Sequence, residues 1–227
     1  MDELSLLYRR LLAAYGPQGW WPLLELHGKG RGLNPTKTGS IKGYHPGDYS
    51  YPRTGRQRFE VCVGAILTQN TAWPNVERAL LNLDREGLID PHTIVKSKDS
   101  RIQELIRPAG YFNQKARKLK IFSEFYVKLN GRVPSREELL EIWGVGPETA
   151  DSMLLYAYGV PEFVVDTYTK RVLSDMKLIR RGATYDEIKG FCVKSLPSNV
   201  EAYQEFHALL VEHAKRLKEA PKMMITK

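Results

Sequence analysis

Gly144-Val145-Gly146-Pro147 constrains this chain more than any other stretch. Two glycines one residue apart break a helix, and the proline after them fits only the first turn of a new one. On the N-terminal side, Ser135 and Glu138 have the spacing of a capping box, in which each side chain satisfies the other's free backbone N–H. Leu139, Leu140 and Ile142 give the short helix that follows its apolar side. On the C-terminal side, Ala150, Met153, Leu154 and Ala157 recur at helical spacing until Gly159-Val160-Pro161 stops them. The spacing predicts helix, glycine hairpin, helix. A hairpin of this kind is either an ordinary helix–helix turn or a cradle in which Gly144, Val145 and Gly146 turn backbone N–H groups toward a phosphate oxygen.

The rest of the chain reads as helix too. Leu4, Leu7, Tyr8, Leu11, Leu12 and Tyr15 share one helical face, and Gly16-Pro17 ends it. Phe59 to Leu67 is apolar almost throughout, and Trp73-Pro74 opens a helix with Val76, Ala79, Leu80 and Leu83 inward. Ile102, Leu105 and Ile106 suggest a short helix, and a longer one runs from Asn113 to Leu129. Lys115, Arg117, Lys118 and Lys120 read as the solvated face of that longer helix. Further helices are expected from Asp166 to about Leu178, Thr184 to about Leu196, and Asn199 to about Glu219. No stretch alternates as a strand would, so the fold class is all-α.

A formal charge of +8 favours a polyanionic partner. Six of those eight net charges lie between Gly28 and Arg58, in a glycine-rich stretch with three tyrosines and three prolines. This basic loop 28–58 either stays solvated or lies against nucleic acid, and Arg53, Arg56 and Arg58 are its candidate contacts. No apolar run of about 18 residues exists, so no membrane span is expected. The N-terminus has no basic region followed by an apolar core, which points to an intracellular, cytoplasmic chain. Cys62 and Cys192, both among apolar neighbours, read as buried free thiols.

Three segments carry a resemblance: Leu67-Thr-Gln-Asn-Thr71, Gly110-Tyr-Phe-Asn-Gln-Lys-Ala116, and the hairpin with Phe163-Val-Val-Asp166-Thr-Tyr beyond it. In this order they resemble the helix-hairpin-helix DNA glycosylase superfamily that includes endonuclease III, over roughly residues 59–218. The resemblance implies two helical lobes, 59–160 with the hairpin and 1–58 joined to 161–227, with an active-site cleft between them. It implies that Asp166 is the catalytic carboxylate, since cleaving an N-glycosidic bond leaves a sugar with cationic character that a carboxylate stabilises. Asp166 is also placed to cap the next helix, and the two roles are compatible. Gln69 either fills the gap left by a flipped nucleotide, as the family implies, or only hydrogen-bonds locally in its turn. Lyase members carry a lysine where this chain has Glu148, and a carboxylate cannot form the imine, so base release without strand cleavage is expected. Many relatives hold an iron–sulfur cluster on four C-terminal cysteines. This chain has no cysteine there, so no iron–sulfur cluster and no other metal cofactor is expected. The hairpin is a candidate seat for a monovalent cation.

Trp20-Trp21-Pro22, with the run from Phe59 to Thr71, resembles the cluster-less subfamily of 3-methyladenine DNA glycosylase III. That resemblance implies a base pocket of Trp21, Pro22 and Phe59, with Lys215 near its floor. N-alkylated purines carry positive charge, which an electron-rich aromatic face attracts. The reading is a monomeric, monofunctional glycosylase of base excision repair, acting on double-stranded DNA with a damaged base. The alternatives are a glycosylase for uracil, mismatched thymine or an oxidised base, and a non-catalytic helix-hairpin-helix DNA-binding protein. The long loop falls between two pocket elements and is the main departure from the subfamily pattern.

Overall fold

The computed structural model describes residues 3–27 and 42–223, with side chains to residue 218. Lys29, Arg31 and Lys37 of the basic loop lie outside the described residues. In chain order the helices are α1 (Glu3–Tyr15), α2 (Gly55–Thr68), α3 (Trp73–Arg85), α4 (Pro91–Lys96), α5 (Asp99–Leu105), α6 (Phe112–Leu129), α7 (Arg136–Leu140), α8 (Pro147–Ser152), α9 (Thr167–Asp175), α10 (Tyr185–Ser195) and α11 (Val200–Met223). No strand occurs among the described residues, and the fold is all-α. Of these helices, α4 was not legible in the sequence, although Asp90 caps it by accepting the Thr93 N–H at 2.8 Å and Pro91 fills its first position.

The chain forms two compact units. One is Met1–Pro22, Leu26–Tyr49 and Val160–Lys227; the other is Leu23–Glu25 and Ser50–Gly159. The first is organised on α11, which packs against α1 and α9. Tyr203, Phe206, Leu209 and Leu210 of α11 are buried, and Phe163 sets its ring edge-on to Tyr203 at 5.5 Å. Polar residues are buried in the same helix, Gln204, Glu205, His207 and Glu212 among them. A buried polar group requires a partner, so these side chains mark where α11 does more than pack.

The second unit is built round α2, buried on every side from Phe59 to Leu67 and packed against α3, α6 and α8. The arginines expected in the loop belong to this unit. Thr54 and Gln57 form a capping box, so Arg56 and Arg58 stand on the first turns of α2 instead of in a loop. Arg56 pairs with Asp84, while Arg58 donates to the Ala157 carbonyl at 3.3 Å and lies over the Tyr158 ring. Arg53, one residue before the cap, donates to the Ser50 hydroxyl and covers the Tyr51 ring at 4.1 Å.

Glu60 on α2 is buried, and its Oε1 accepts the Leu24 N–H at 2.7 Å. Burial outweighs that bond and the nearby Arg56, raising its pKa from 4.5 to about 7. Between these values the folded chain holds a proton that the unfolded chain has lost, so stability falls as pH rises through that window. Glu60→Gln is expected to flatten this loss and to gain on the wild type by about 3 kcal/mol between pH 4.5 and 8. Urea denaturation at the two pH values measures it; parallel pH profiles would contradict the raised pKa.

Candidate active site

Asp166 is the N-cap of α9: its Oδ1 accepts the Thr169 N–H at 2.7 Å. Its other oxygen, Oδ2, faces α11, where His207 Nε2 stands 3.6 Å away. Arg171 ties the same two helices together by donating to the Ala214 carbonyl at 2.7 Å. Burial pushes the Asp166 carboxyl up, but the His207 imidazole and the N–H and hydroxyl of Thr169 outweigh it, and its pKa lies below the ordinary value. The side chain keeps 14% of its surface exposed, so a charged oxygen is presented without being lost to bulk water. The carboxylate is fixed and stays ionised.

His207 then leads to the tryptophans. Its ring meets Trp20 edge-on at 5.6 Å, and Trp20 meets Trp21 edge-on at 6.2 Å. Lys215, two turns further along α11, places Nζ 6.0 Å from the Trp20 centroid. Asp166, His207, Trp20 and Lys215 are thus linked in one row within one unit. Trp21 is buried beside them, and Pro22 follows it at the unit's edge. The sequence pointed to Trp21, yet the ring that meets both His207 and Lys215 is Trp20. His207 itself was not singled out. The signal for it was present, a histidine inside the otherwise apolar Phe206–Val211 run, but a helical pattern does not show that both sides of a helix are covered.

The remaining residues lie in the second unit. Phe59, expected in the pocket, is 1% exposed, stacks on Phe122 and meets Tyr126 edge-on at 4.9 Å, so it is a core ring of its unit. The capping box before the hairpin is present: the Ser135 hydroxyl accepts the Glu138 N–H, and Glu138 accepts the Ser135 N–H at 2.8 Å. Of the two glycines only Gly144 is in the left-handed region, at φ +85°, and a side chain there would meet Lys118 carbons at 2.6–2.8 Å. Gly146 has φ −98° and caps α8. A Cβ on it would meet nothing within 4 Å, so the protein itself does not demand glycine at this place. Val145 is buried, while Glu148 is exposed on the first turn of α8.

Gln69, the C-cap of α2, ties its turn to this hairpin. Its Nε2 donates to the Gly144 carbonyl at 3.0 Å and to the Thr149 hydroxyl at 2.9 Å, and its Oε1 accepts from Lys118. Exposed Trp143 carries the Arg117 guanidinium 4.6 Å above its ring. Lys115 departs furthest from its expected place. It is buried, and Nζ donates to the Leu67 carbonyl, the Thr71 hydroxyl and the Ala109 carbonyl at 2.7, 2.6 and 2.9 Å. The solvated face of α6 therefore excludes Lys115.

Cys62 and Cys192 are buried free thiols, in different units. No group of three or more His, Cys, Asp or Glu that could hold a metal occurs among the described residues, and no helix among them is long and apolar enough to cross a membrane.

Residues 63–198 match the model of the HhH-GPD superfamily of base excision DNA repair proteins. The chain is 42% identical, over 92% of its length and 86% of the relative's, to a Methanocaldococcus jannaschii protein provisionally named a DNA repair glycosylase. It is 30% identical to endonuclease III of Thermotoga maritima, covering 74% of this chain and 78% of that one. Among solved structures it is similar to H. pylori 3-methyladenine DNA glycosylase bound to 1,N6-ethenoadenine, with a TM-score of 0.70 and 27% identity, covering 95% of this chain and 98% of that one. Hairpin, capped aspartate and these likenesses agree: the chain belongs to the HhH-GPD superfamily, the endonuclease III-like DNA glycosylases of base excision repair.

Proposed function

We propose that this chain is a monofunctional glycosylase that hydrolyses the N-glycosidic bond of an N-alkylated or otherwise electron-poor purine. The observation that carries the reading is the Asp166 carboxylate, capped, kept ionised and joined through His207 to the Trp20 ring. A carboxyl held below its ordinary pKa is a weak base but is always charged. Its chief effect is therefore electrostatic, on the sugar as positive charge develops at C1′. Water adds at C1′ and gives up a proton to solvent, while the electron pair of the glycosidic bond returns to the purine. A cationic purine leaves neutral by this route and needs no acid, whereas a neutral one such as 1,N6-ethenoadenine leaves once it has taken a proton from solvent. Trp20 and Trp21, with Pro22, form the wall against which such a base lies, and Lys215 stands at the Trp20 face. The likeness to a 3-methyladenine glycosylase with a bound ethenoadenine supports this choice of substrate.

Double-stranded DNA is held, on this reading, by the hairpin through the backbone N–H groups of Gly144 and Gly146, which the open space at Gly146 lets a phosphate approach, while the Val145 N–H already donates to the Ile142 carbonyl at 3.0 Å. Gln69 enters the duplex by giving up its bonds to Gly144, Thr149 and Lys118, and Arg53 with its solvent-facing guanidinium touches phosphate. Arg56 and Arg58 contribute less, because each ties α2 to a distant part of its unit, Asp84 and the Ala157 carbonyl, whereas Arg53 bonds the nearby Ser50 hydroxyl. The chain acts as a monomer without an iron–sulfur cluster, its two cysteines being too few to supply four thiolates. The hairpin remains a candidate seat for a monovalent cation.

Duplexes carrying one 3-methyladenine or one 1,N6-ethenoadenine test the reading. Base release is expected, with strands intact until they are heated in alkali, because Glu148 cannot form an imine with the sugar. Trapping of a covalent protein–DNA adduct by borohydride would show a lyase and refute the monofunctional assignment.

A further inference from the structure

His45 and its neighbours grip the segment that carries the tryptophans. Tyr44 and His45 are buried, and the His45 N–H donates to the Gly19 carbonyl at 3.1 Å. The His45 ring sets Nε2 3.0 Å from the Trp21 carbonyl oxygen and Nδ1 2.7 Å from that of Asp48. Both are acceptors, so the ring holds them only through its N–H groups; a neutral imidazole serves one at a time and an imidazolium both. The backbones touch as well. A Cβ on Gly19 would stand 2.2 Å from Pro46 N and 2.3 Å from His45 C, and at φ +66° Gly19 adopts a conformation side chains avoid.

The other side of the segment is held by α11. Buried Glu205 accepts the Gln18 N–H at 2.9 and 3.1 Å and the Gly19 N–H at 3.3 Å. Residues 18–21 are thus clamped between the helix that bears His207 and Lys215 and the segment that bears His45. The Glu205 bonds stop at Gly19. Beyond Trp20, the His45 ring supplies a hold on the Trp21 backbone.

We propose that His45 is a positioning residue which, through the Trp21 carbonyl, fixes the aromatic wall and so sets which modified base the site accepts. The inference rests on the reading of Trp20 and Trp21 as the base-binding wall. It assigns a role to the end of the long loop that departs from the subfamily pattern. His45 lies behind the wall and acts on base affinity, not on the chemistry at Asp166.

His45→Gln and His45→Asn separate the two ring bonds. A glutamine amide nitrogen takes the place of Nε2 and reaches Trp21; an asparagine nitrogen takes the place of Nδ1 and reaches only Asp48. Single-turnover release is measured on duplexes with one 1,N6-ethenoadenine or one 3-methyladenine, with thermal unfolding and undamaged-duplex binding as controls of the fold. The asparagine variant should need about five to ten times more enzyme for half-saturation, the worth of one hydrogen bond, at an unchanged saturated rate. Its preference between the two lesions should shift, and the glutamine variant should stay close to wild type. Equal half-saturation and equal preference in all three proteins would overturn the proposal and leave the glycosylase reading standing. Loss of the thermal transition in the asparagine variant, or a fall in saturated rate in both, would overturn it as well, by making His45 a folding or a reacting residue. Release of neither base by the wild type would overturn both readings.

Discussion

Asp166→Asn is expected to bind lesion duplexes as the wild type does and to release the base at least about a hundredfold more slowly, as removal of one preorganised electrostatic group does elsewhere. The variant isolates charge from structure. Asparagine caps a helix as well as aspartate does, so the Thr169 N–H keeps an acceptor and α9 keeps its start. What is lost is the negative oxygen facing His207. Asp166→Ala removes the cap too, and should cost about 1 kcal/mol of stability beyond the asparagine variant. The pH profile gives a second check. With its pKa below 3.8, the carboxyl is ionised throughout the usual assay range, so wild-type release should not fall as pH drops from 7 to 5. The same shift adds stability above pH 3.8, lost as pH falls through the folded-state pKa. Near-normal release by the asparagine variant at saturation would reduce Asp166 to a helix cap.

Much of the architecture was legible because it is written in local chemistry. Ser135 and Glu138 are three residues apart, and Gly144 needs its left-handed turn whatever surrounds it. Asp166 at a helix start is likewise visible from its neighbours, and the cap expected of it is present. What escaped the sequence depends on contacts between residues far apart. His207 matters because α9 brings Asp166 to it from 41 positions away. His45 reads as part of a basic loop until its ring is seen against the Trp21 carbonyl. Phe59 shows the reverse: the resemblance implies a place for it in a pocket, and within its unit its ring meets Phe122 and Tyr126. Arg56 and Arg58 were grouped with the glycines before them, although Thr54 caps a helix that already includes both.

Lys115→Met is expected to lower stability by about 3 kcal/mol at pH 7, a large effect for one lysine. Methionine fills the space of the lysine stem but donates nothing. Leu67 lies in the last turn of α2, where carbonyls have no partner within the helix, and the ammonium there also complements the negative end of the helix. Thr71 and Ala109 keep one bond, since the Thr71 hydroxyl donates to the Ala109 carbonyl at 2.6 Å, but both lose the lysine. The end of α2 therefore loses its tie to the other two segments, the turn holding Gln69 and the residues before α6, which keep their bond to each other. The cost of burying the charge works against the bonds. Burial, then the charge of Lys118, brings the Lys115 pKa from 10.5 down to about 8. Between those values the unfolded chain holds a proton that the folded chain has released, so wild-type stability gains from this group as pH rises from 8 to 10.5. The methionine variant lacks that gain, and its deficit should be wider at pH 9.5 than at pH 7. Guanidinium denaturation of both proteins at the two pH values measures it. Equal midpoints at pH 7 would mean that the three acceptors find water as readily as they find the lysine, and that the buried ammonium holds nothing together.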